Sequence, residues 1–205
     1  MKAVKNKKKS PPKTINKKKT SASKKPKNII PKTDRGLVMV ITGNGKGKTT
    51  AAFGQALRSI GQGYNVFIVQ FMKGRKYGEF IAAKKYLPNL TIRRSGLDSF
   101  VMRDNPATID IEMARKGLAD AQKAIKNGKY DMVILDEINV ALNFKLISLP
   151  EVIETIKNKP VYLDIILTGR YAPPEIIALA DTVSDIQEIK HHYNKGIKDR
   201  AGIEY

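Results

Sequence analysis

Lys48, Thr49, Asp136, Glu137 and Arg170 are the residues whose types and neighbours could do chemistry together on a phosphorylated substrate. Lys48 and Thr49 close the run Thr42-Gly43-Asn44-Gly45-Lys46-Gly47-Lys48-Thr49-Thr50, which follows the apolar stretch Leu37–Ile41 directly. An apolar strand, a Gly-rich turn, Gly-Lys-Thr and then a helix is the arrangement that cradles nucleotide phosphates. Glycines let successive backbone N–H groups point into one concavity, and the helix N-terminus adds its positive end. Lys48 is then expected on the phosphates and Thr49 on Mg²⁺. The usual G-x-x-x-x-G-K-[ST] spacing has its first glycine where this chain has Thr42; the alternative is an exposed Gly/Lys turn.

Two further constellations end in the same way. Met132-Val133-Ile134-Leu135-Asp136-Glu137 is an apolar strand running into two carboxylates, and ligands in open α/β sheets gather at the carboxyl ends of strands. One or both acids could hold Mg²⁺, a hard cation that takes oxygen ligands; a merely solvated acid pair is the alternative. Leu167-Thr168-Gly169-Arg170 closes another strand, and an Arg there can fork onto phosphate or pair with a neighbouring acid. Gln70-Phe71-Met72-Lys73-Gly74 brings Lys73 to the same edge, as a phosphate ligand or a solvated loop lysine. His191 and His192 lack the i, i+4 spacing of helical metal pairs and are expected to hydrogen-bond within the C-terminal segment. Asn194-Lys195-Gly196-Ile197 lacks the Asp of a guanine-reading Asn-Lys-x-Asp element, which disfavours GTP.

Short β-type runs alternating with helical ones must position these residues, and that alternation predicts an α/β fold. The expected architecture is P-loop NTPase-like: a mostly parallel sheet of about six strands with helices on both faces. Strands are expected at Val38–Thr42, Asn65–Phe71, Thr91–Arg93, Met132–Leu135, Val161–Leu167 and Thr182–Ile189. Helical spacing puts Phe53, Ala56, Leu57 and Ile60 on one face of a helix over Lys48–Ile60, and Ile111, Ala114, Leu118, Ala121 and Ile125 on one face over Ile111–Lys126. Pro173-Pro174 opens another helix through about Ala180.

The 205 residues carry a net charge of +19, most of it at one end. Residues 1–35 hold thirteen lysines and Arg35 against one acid, Asp34. Residues 1–33 therefore read as a disordered, Lys-rich tail before a domain over 34–205, either purely solvating or in loose contact with polyanions. Cysteine is absent, which excludes disulfides and thiol catalysis and suits a reducing, cytoplasmic location. No apolar run approaches the roughly 20 residues of a membrane helix, and no signal peptide is expected.

Taken in order, these residues resemble the P-loop type ATP:corrinoid adenosyltransferases, also called cob(I)yrinic acid a,c-diamide adenosyltransferases. The resemblance spans Gly36 to Tyr205. It is carried by Thr42–Gly54, Val69-Gln70-Phe71-Met72-Lys73-Gly74 with Gly78-Glu79, Leu135-Asp136-Glu137, Thr168-Gly169-Arg170, Ala180–Ser184, Lys190-His191 and the ending Gly202-Ile203-Glu204-Tyr205. Thr in the position of Thr42 is usual in that family.

The resemblance implies transfer of the 5′-deoxyadenosyl group of ATP to the Co(I) of a reduced corrinoid, either cobalamin or a precursor, with release of triphosphate. It implies Thr49 and Glu137 as Mg²⁺ contacts, reduced flavin or flavodoxin as electron donor, and often a dimer. Members carry a Phe and a Trp in the loop matching Ser95–Arg103; this chain has no Trp, and Phe100 is left to contact the corrinoid there. A RecA-like, nucleic-acid-stimulated ATPase and a non-enzymatic corrinoid or nucleotide carrier are the rival readings.

Overall fold

The computed structural model describes residues 34–75, 77–98 and 101–205. The Lys-rich tail over 1–33 and Phe100 lie outside them. Six strands form one all-parallel sheet: β1 (Val38–Thr42), β2 (Val66–Phe71), β3 (Leu90–Ser95), β4 (Met132–Asp136), β5 (Asp164–Thr168) and β6 (Thr182–Asp185), in the spatial order β3-β2-β4-β5-β1-β6. The helices are α1 (Lys48–Gly61), α2 (Gly78–Tyr86), α3 (Thr108–Lys126), α4 (Ile138–Asn143), α5 (Leu149–Lys157) and α6 (Pro174–Leu179).

Strand periodicity divides the interior into two cores. On β2 and β4, Phe67, Val69, Phe71, Val133 and Leu135 pack with α3 residues Ala114, Leu118 and Ala121 on one face. Val66, Ile68, Met132 and Ile134 pack with α1 residues Ala52 and Ala56 on the other. Covering both faces is what allows these strands to be apolar without a break. The same alternation carries Gln70, Asp136 and Thr168, the next even-numbered residues of β2, β4 and β5, toward the α1 side.

Several boundaries differ from the expectation. β5 begins at Asp164 rather than Val161, because Val161 sits in an exposed turn whose carbonyl accepts the Gly36 N–H at 2.6 Å. β6 stops at Asp185 rather than Ile189, since its only neighbour, β1, leaves the sheet at Thr42. The chain beyond it instead pairs with the Gly-rich turn, Gly45 donating its N–H to Ile186 O at 2.7 Å. Leu57 is 57% exposed, and Ala52 and Ser59 are buried on the core face of α1 in its place.

Helices α2, α4 and α5 were not expected. α5 carries a start signal in Ser148-Leu149-Pro150-Glu151, where the Glu151 carboxylate accepts the Ser148 N–H at 3.1 Å. No helix among the described residues is long and apolar enough to cross a membrane.

Candidate active site

Three strands deliver their last residues to one edge through strained turns. Met72, Glu137 and Tyr171, just beyond β2, β4 and β5, have φ of 56°, 66° and 64°. A left-handed conformation costs a non-glycine residue on the order of 1 kcal/mol, and such strain concentrates where side chains must be aimed. The turn at Met72 is pinned by its N–H to Ser95 O at 2.9 Å. It returns Lys73 toward the sheet, so that Lys73, Thr49 and the ends of β4 and β5 meet.

Asp136 is the centre of this meeting, with 0% exposure. Its Oδ1 accepts the hydroxyls of Thr49 at 2.9 Å and Thr168 at 2.7 Å. Its Oδ2 accepts Gln70 Nε2 at 3.2 Å and Lys73 Nζ at 2.8 Å. Lys73 Nζ also stands 3.2 Å from Thr49 Oγ1. Burial penalises the Asp136 charge, but the ammonium of Lys73 and the hydrogen bonds from Lys73, Thr168 and Gln70 outweigh it and hold the carboxyl below its usual range. Burial likewise opposes the charge on Lys73, and Asp136 reverses it, holding the ammonium above its usual range.

Glu137 is treated differently. It leaves the strand through its left-handed backbone, its N–H donating to Thr168 Oγ1 at 2.9 Å. Burial and the adjacent Asp136 push its carboxyl up, against Lys73, Lys48 and Arg170. Lys48 is 8% exposed, and its ammonium donates to Gly45 O at 2.6 Å. Burial lowers its pKa, Glu137 opposes this, and Arg170 adds to the lowering.

Gly45, Lys46, Gly47, Lys48, Thr49, Thr50, Lys73, Glu137 and Arg170 line a single cleft of about 1330 Å³. Val140, Phe144 and Tyr171 give it an apolar wall, beside Arg103, whose Nη2 donates to Asn143 Oδ1 at 3.3 Å. Among the described residues, Thr42, Gly43 and Asn44 stand outside that wall. Thr42 staples the end of β1 instead: its hydroxyl accepts the Ala172 N–H at 3.4 Å and its carbonyl the Ile186 N–H at 2.9 Å.

Gly43 has φ 95°, and a Cβ there would run into the Asp185 carboxylate and the Ile186 backbone. Gly43→Ala is therefore expected to cost about 2–4 kcal/mol, strain and overlap together, read as a lower urea midpoint with unchanged slope.

Three participants have no role of their own marked in the sequence. Gln70 is fully buried and joins Asp136 to Glu79 of α2, whose Oε1 it reaches at 3.1 Å. Thr168 braces both Asp136 and Glu137. The C-terminal segment closes over the Gly-rich turn: Lys46 Nζ donates to Ile203 O at 2.8 Å and pairs with Glu204 at 3.3 Å. The even parity of residues 70, 136 and 168 was the available signal for the first two; nothing local marks the last contact. His191 and His192 stack at 4.6 Å between ring centres, and His192 Nε2 lies 3.2 Å from Glu204 Oε1, an arrangement within the C-terminal segment as expected.

The chain is similar to known proteins over most of its length. The profile of the family described as ATP:corrinoid adenosyltransferase BtuR/CobO/CobP matches residues 34–205. The chain is 35% identical over 173 residues to the corrinoid adenosyltransferase of Escherichia coli (strain K12), covering 84% of this chain and 87% of that one. It is 37% identical over 182 residues to the corrinoid adenosyltransferase of a Sinorhizobium species, covering 87% and 85%. The corrinoid adenosyltransferase CobA of Salmonella typhimurium is 35% identical over 173 residues, covering 84% and 87%. On a family profile that covers its whole described domain and on relatives that match most of its length, the chain belongs to the ATP:corrinoid adenosyltransferase family.

Proposed function

We propose that this protein transfers the 5′-deoxyadenosyl group of ATP to the Co(I) of a reduced corrinoid. The cobalt lone pair attacks C5′, the Co–C bond forms, the C5′–O bond breaks, and triphosphate departs with the bonding electrons while cobalt becomes Co(III). The observation that carries this reading is the convergence of the Gly45–Thr50 turn, Lys48 and Arg170 on one cleft with an apolar wall. The turn and Lys48 hold the triphosphate, and their donors oppose the charge that grows on its leaving oxygen. Arg170, exposed at the cleft mouth, supplies a second cation. Val140, Phe144 and Tyr171 exclude water beside the reacting carbon, and Phe100 is proposed to join them against the corrinoid.

The donors also suit Mg²⁺, which would neutralise charge on the phosphates when bound. Thr49 Oγ1 and Asp136 Oδ1 are hard oxygens 2.9 Å apart, with Glu137 on the cleft wall beside them. No group of three or more His, Cys, Asp or Glu side chains able to hold a metal occurs among the described residues. A cation here would complete its shell with phosphate and water, as Mg²⁺ does in nucleotide sites.

We further propose reduced flavin or flavodoxin as the electron source, a homodimeric assembly, a cytoplasmic location, and a solvated tail in loose contact with polyanions. Mg·ATP mixed anaerobically with chemically reduced cobalamin should give a light-sensitive adenosylated product and one equivalent of triphosphate. ADP and phosphate released under DNA or RNA stimulation, with no Co–C bond, would overturn the reading. Removing residues 1–33 should leave the transfer rate within about twofold, because a Lys-rich sequence with few apolar residues offers only salt-sensitive contacts.

A further inference from the structure

Lys73 holds with its ammonium the carboxylate and the hydroxyl that a divalent cation at Thr49 and Asp136 would use. Its ammonium lies 2.8 Å from Asp136 Oδ2 and 3.2 Å from Thr49 Oγ1, and those two oxygen-bearing side chains are themselves joined at 2.9 Å. The side chains of Lys73 and Asp136 are only 15% and 0% exposed, so water does little to screen the pair. Two more carboxylates, Glu137 and Glu79, act on the same ammonium, and the Tyr77 ring lies 5.4 Å from it. A buried carboxylate with hydroxyl neighbours needs a cation, and this chain supplies one on a flexible four-carbon stem.

Resting on the reading that a divalent ion accompanies ATP at Thr49 and Asp136, we propose that Lys73 is a tethered cation that fills this position until nucleotide arrives and then yields it to the metal. The driving force is exchange of one positive charge for another. The incoming phosphates offer Lys73 new anionic partners across the cleft it lines, and the divalent ion takes over the charge on Asp136. Metal and ATP therefore bind as a pair. Without phosphates Lys73 has nowhere better to go, and the metal must displace a desolvated ion pair. The coupling is reciprocal: nucleotide raises the affinity of the site for metal by the same factor as metal raises its affinity for nucleotide. Lys73 is a positioning residue in this scheme, acting through Asp136 and Thr49.

Mn²⁺ titrations of the full chain, followed by loss of the free-ion electron paramagnetic resonance signal, test the scheme without any turnover. Nucleotide-free wild-type protein should leave the signal intact at concentrations where Lys73→Met removes it, the variant binding Mn²⁺ at least about tenfold more tightly. Lys73→Arg should exclude Mn²⁺ as wild type does, and Lys73→Met with Asp136→Asn should lose the gain. Mn²⁺ alone should raise the melting temperature of Lys73→Met and leave that of wild type unchanged; Lys73→Gln serves the same purpose if the Met variant does not fold.

Equal nucleotide-free Mn²⁺ affinity in wild type and Lys73→Met overturns the inference. Failure of wild type to bind Mn²⁺ even with ATP, or binding then indifferent to Asp136→Asn, overturns instead the metal reading on which it stands.

Discussion

Lys48→Ala is expected to slow adenosyl transfer by about 10²–10³-fold while leaving corrinoid affinity within about twofold. When C5′ leaves its oxygen, that oxygen passes from a bridging ester to a terminal phosphate oxygen and takes up a full negative charge. A donor that meets it there stabilises the transition state more than bound ATP, so its removal falls on the rate. Lys48 is well placed for this: it is 8% exposed, held against Gly45 O at 2.6 Å, and flanked by loop backbone. Burial lowers its pKa against the opposing pull of Glu137, so an arriving anion meets a partly desolvated charge. Arg170 is exposed, where solvent screens it, and Arg170→Ala should cost only about tenfold. Single-turnover transfer set beside spectral titration of the corrinoid separates the two quantities. Equal losses in both would show that Lys48 holds the substrates uniformly and has no special part in departure of triphosphate.

Much of this site is legible in the chain because strand ends announce themselves. The apolar runs closing in Asp136-Glu137 and in Thr168-Gly169-Arg170 placed both at the carboxyl edge of a parallel sheet, and β4 and β5 do end there. What stayed hidden was long-range. Nothing around Thr42 says that its hydroxyl meets Ala172, 130 residues away, or that Lys46 meets the carbonyl of Ile203, 157 residues away. Those contacts depend on β6 ending early and on the path of the chain after it. Lys73 reads in the sequence as a phosphate ligand or a solvated loop lysine; in the fold it lines the cleft and its ammonium pairs with Asp136 at 2.8 Å, just beyond the left-handed Met72. A positive φ at methionine has no sequence signature; its propensity argues against it.

Asp136→Asn is expected to destabilise the protein by about 3–5 kcal/mol, the cost of stranding a buried partner charge. Asp136 accepts from Thr49, Thr168, Gln70 and Lys73, and an asparagine would set an NH₂ group against donors while taking from Lys73 its nearest carboxylate. Its neighbour should respond in the opposite sense: Glu137→Gln should stabilise the protein at neutral pH by about 1 kcal/mol, since it removes a charge that burial and Asp136 both disfavour. The pH dependence separates them by sign. Asp136 titrates below its ordinary 3.8 in the folded protein, so its contribution is present above that value and is lost as pH falls through the folded pKa. Glu137 titrates above its ordinary 4.5, so its contribution is fully present below that value and is lost as pH rises through the folded pKa. Chemical denaturation across this range should therefore show the acid limb flattened in Asp136→Asn and the decline above pH 4.5 flattened in Glu137→Gln. A Glu137→Gln variant less stable than wild type at pH 7 would mean that this carboxylate is held by its cationic neighbours as firmly as Asp136 is. The two acids would then be one shared anionic site instead of a brace beside an electrostatically costly ligand.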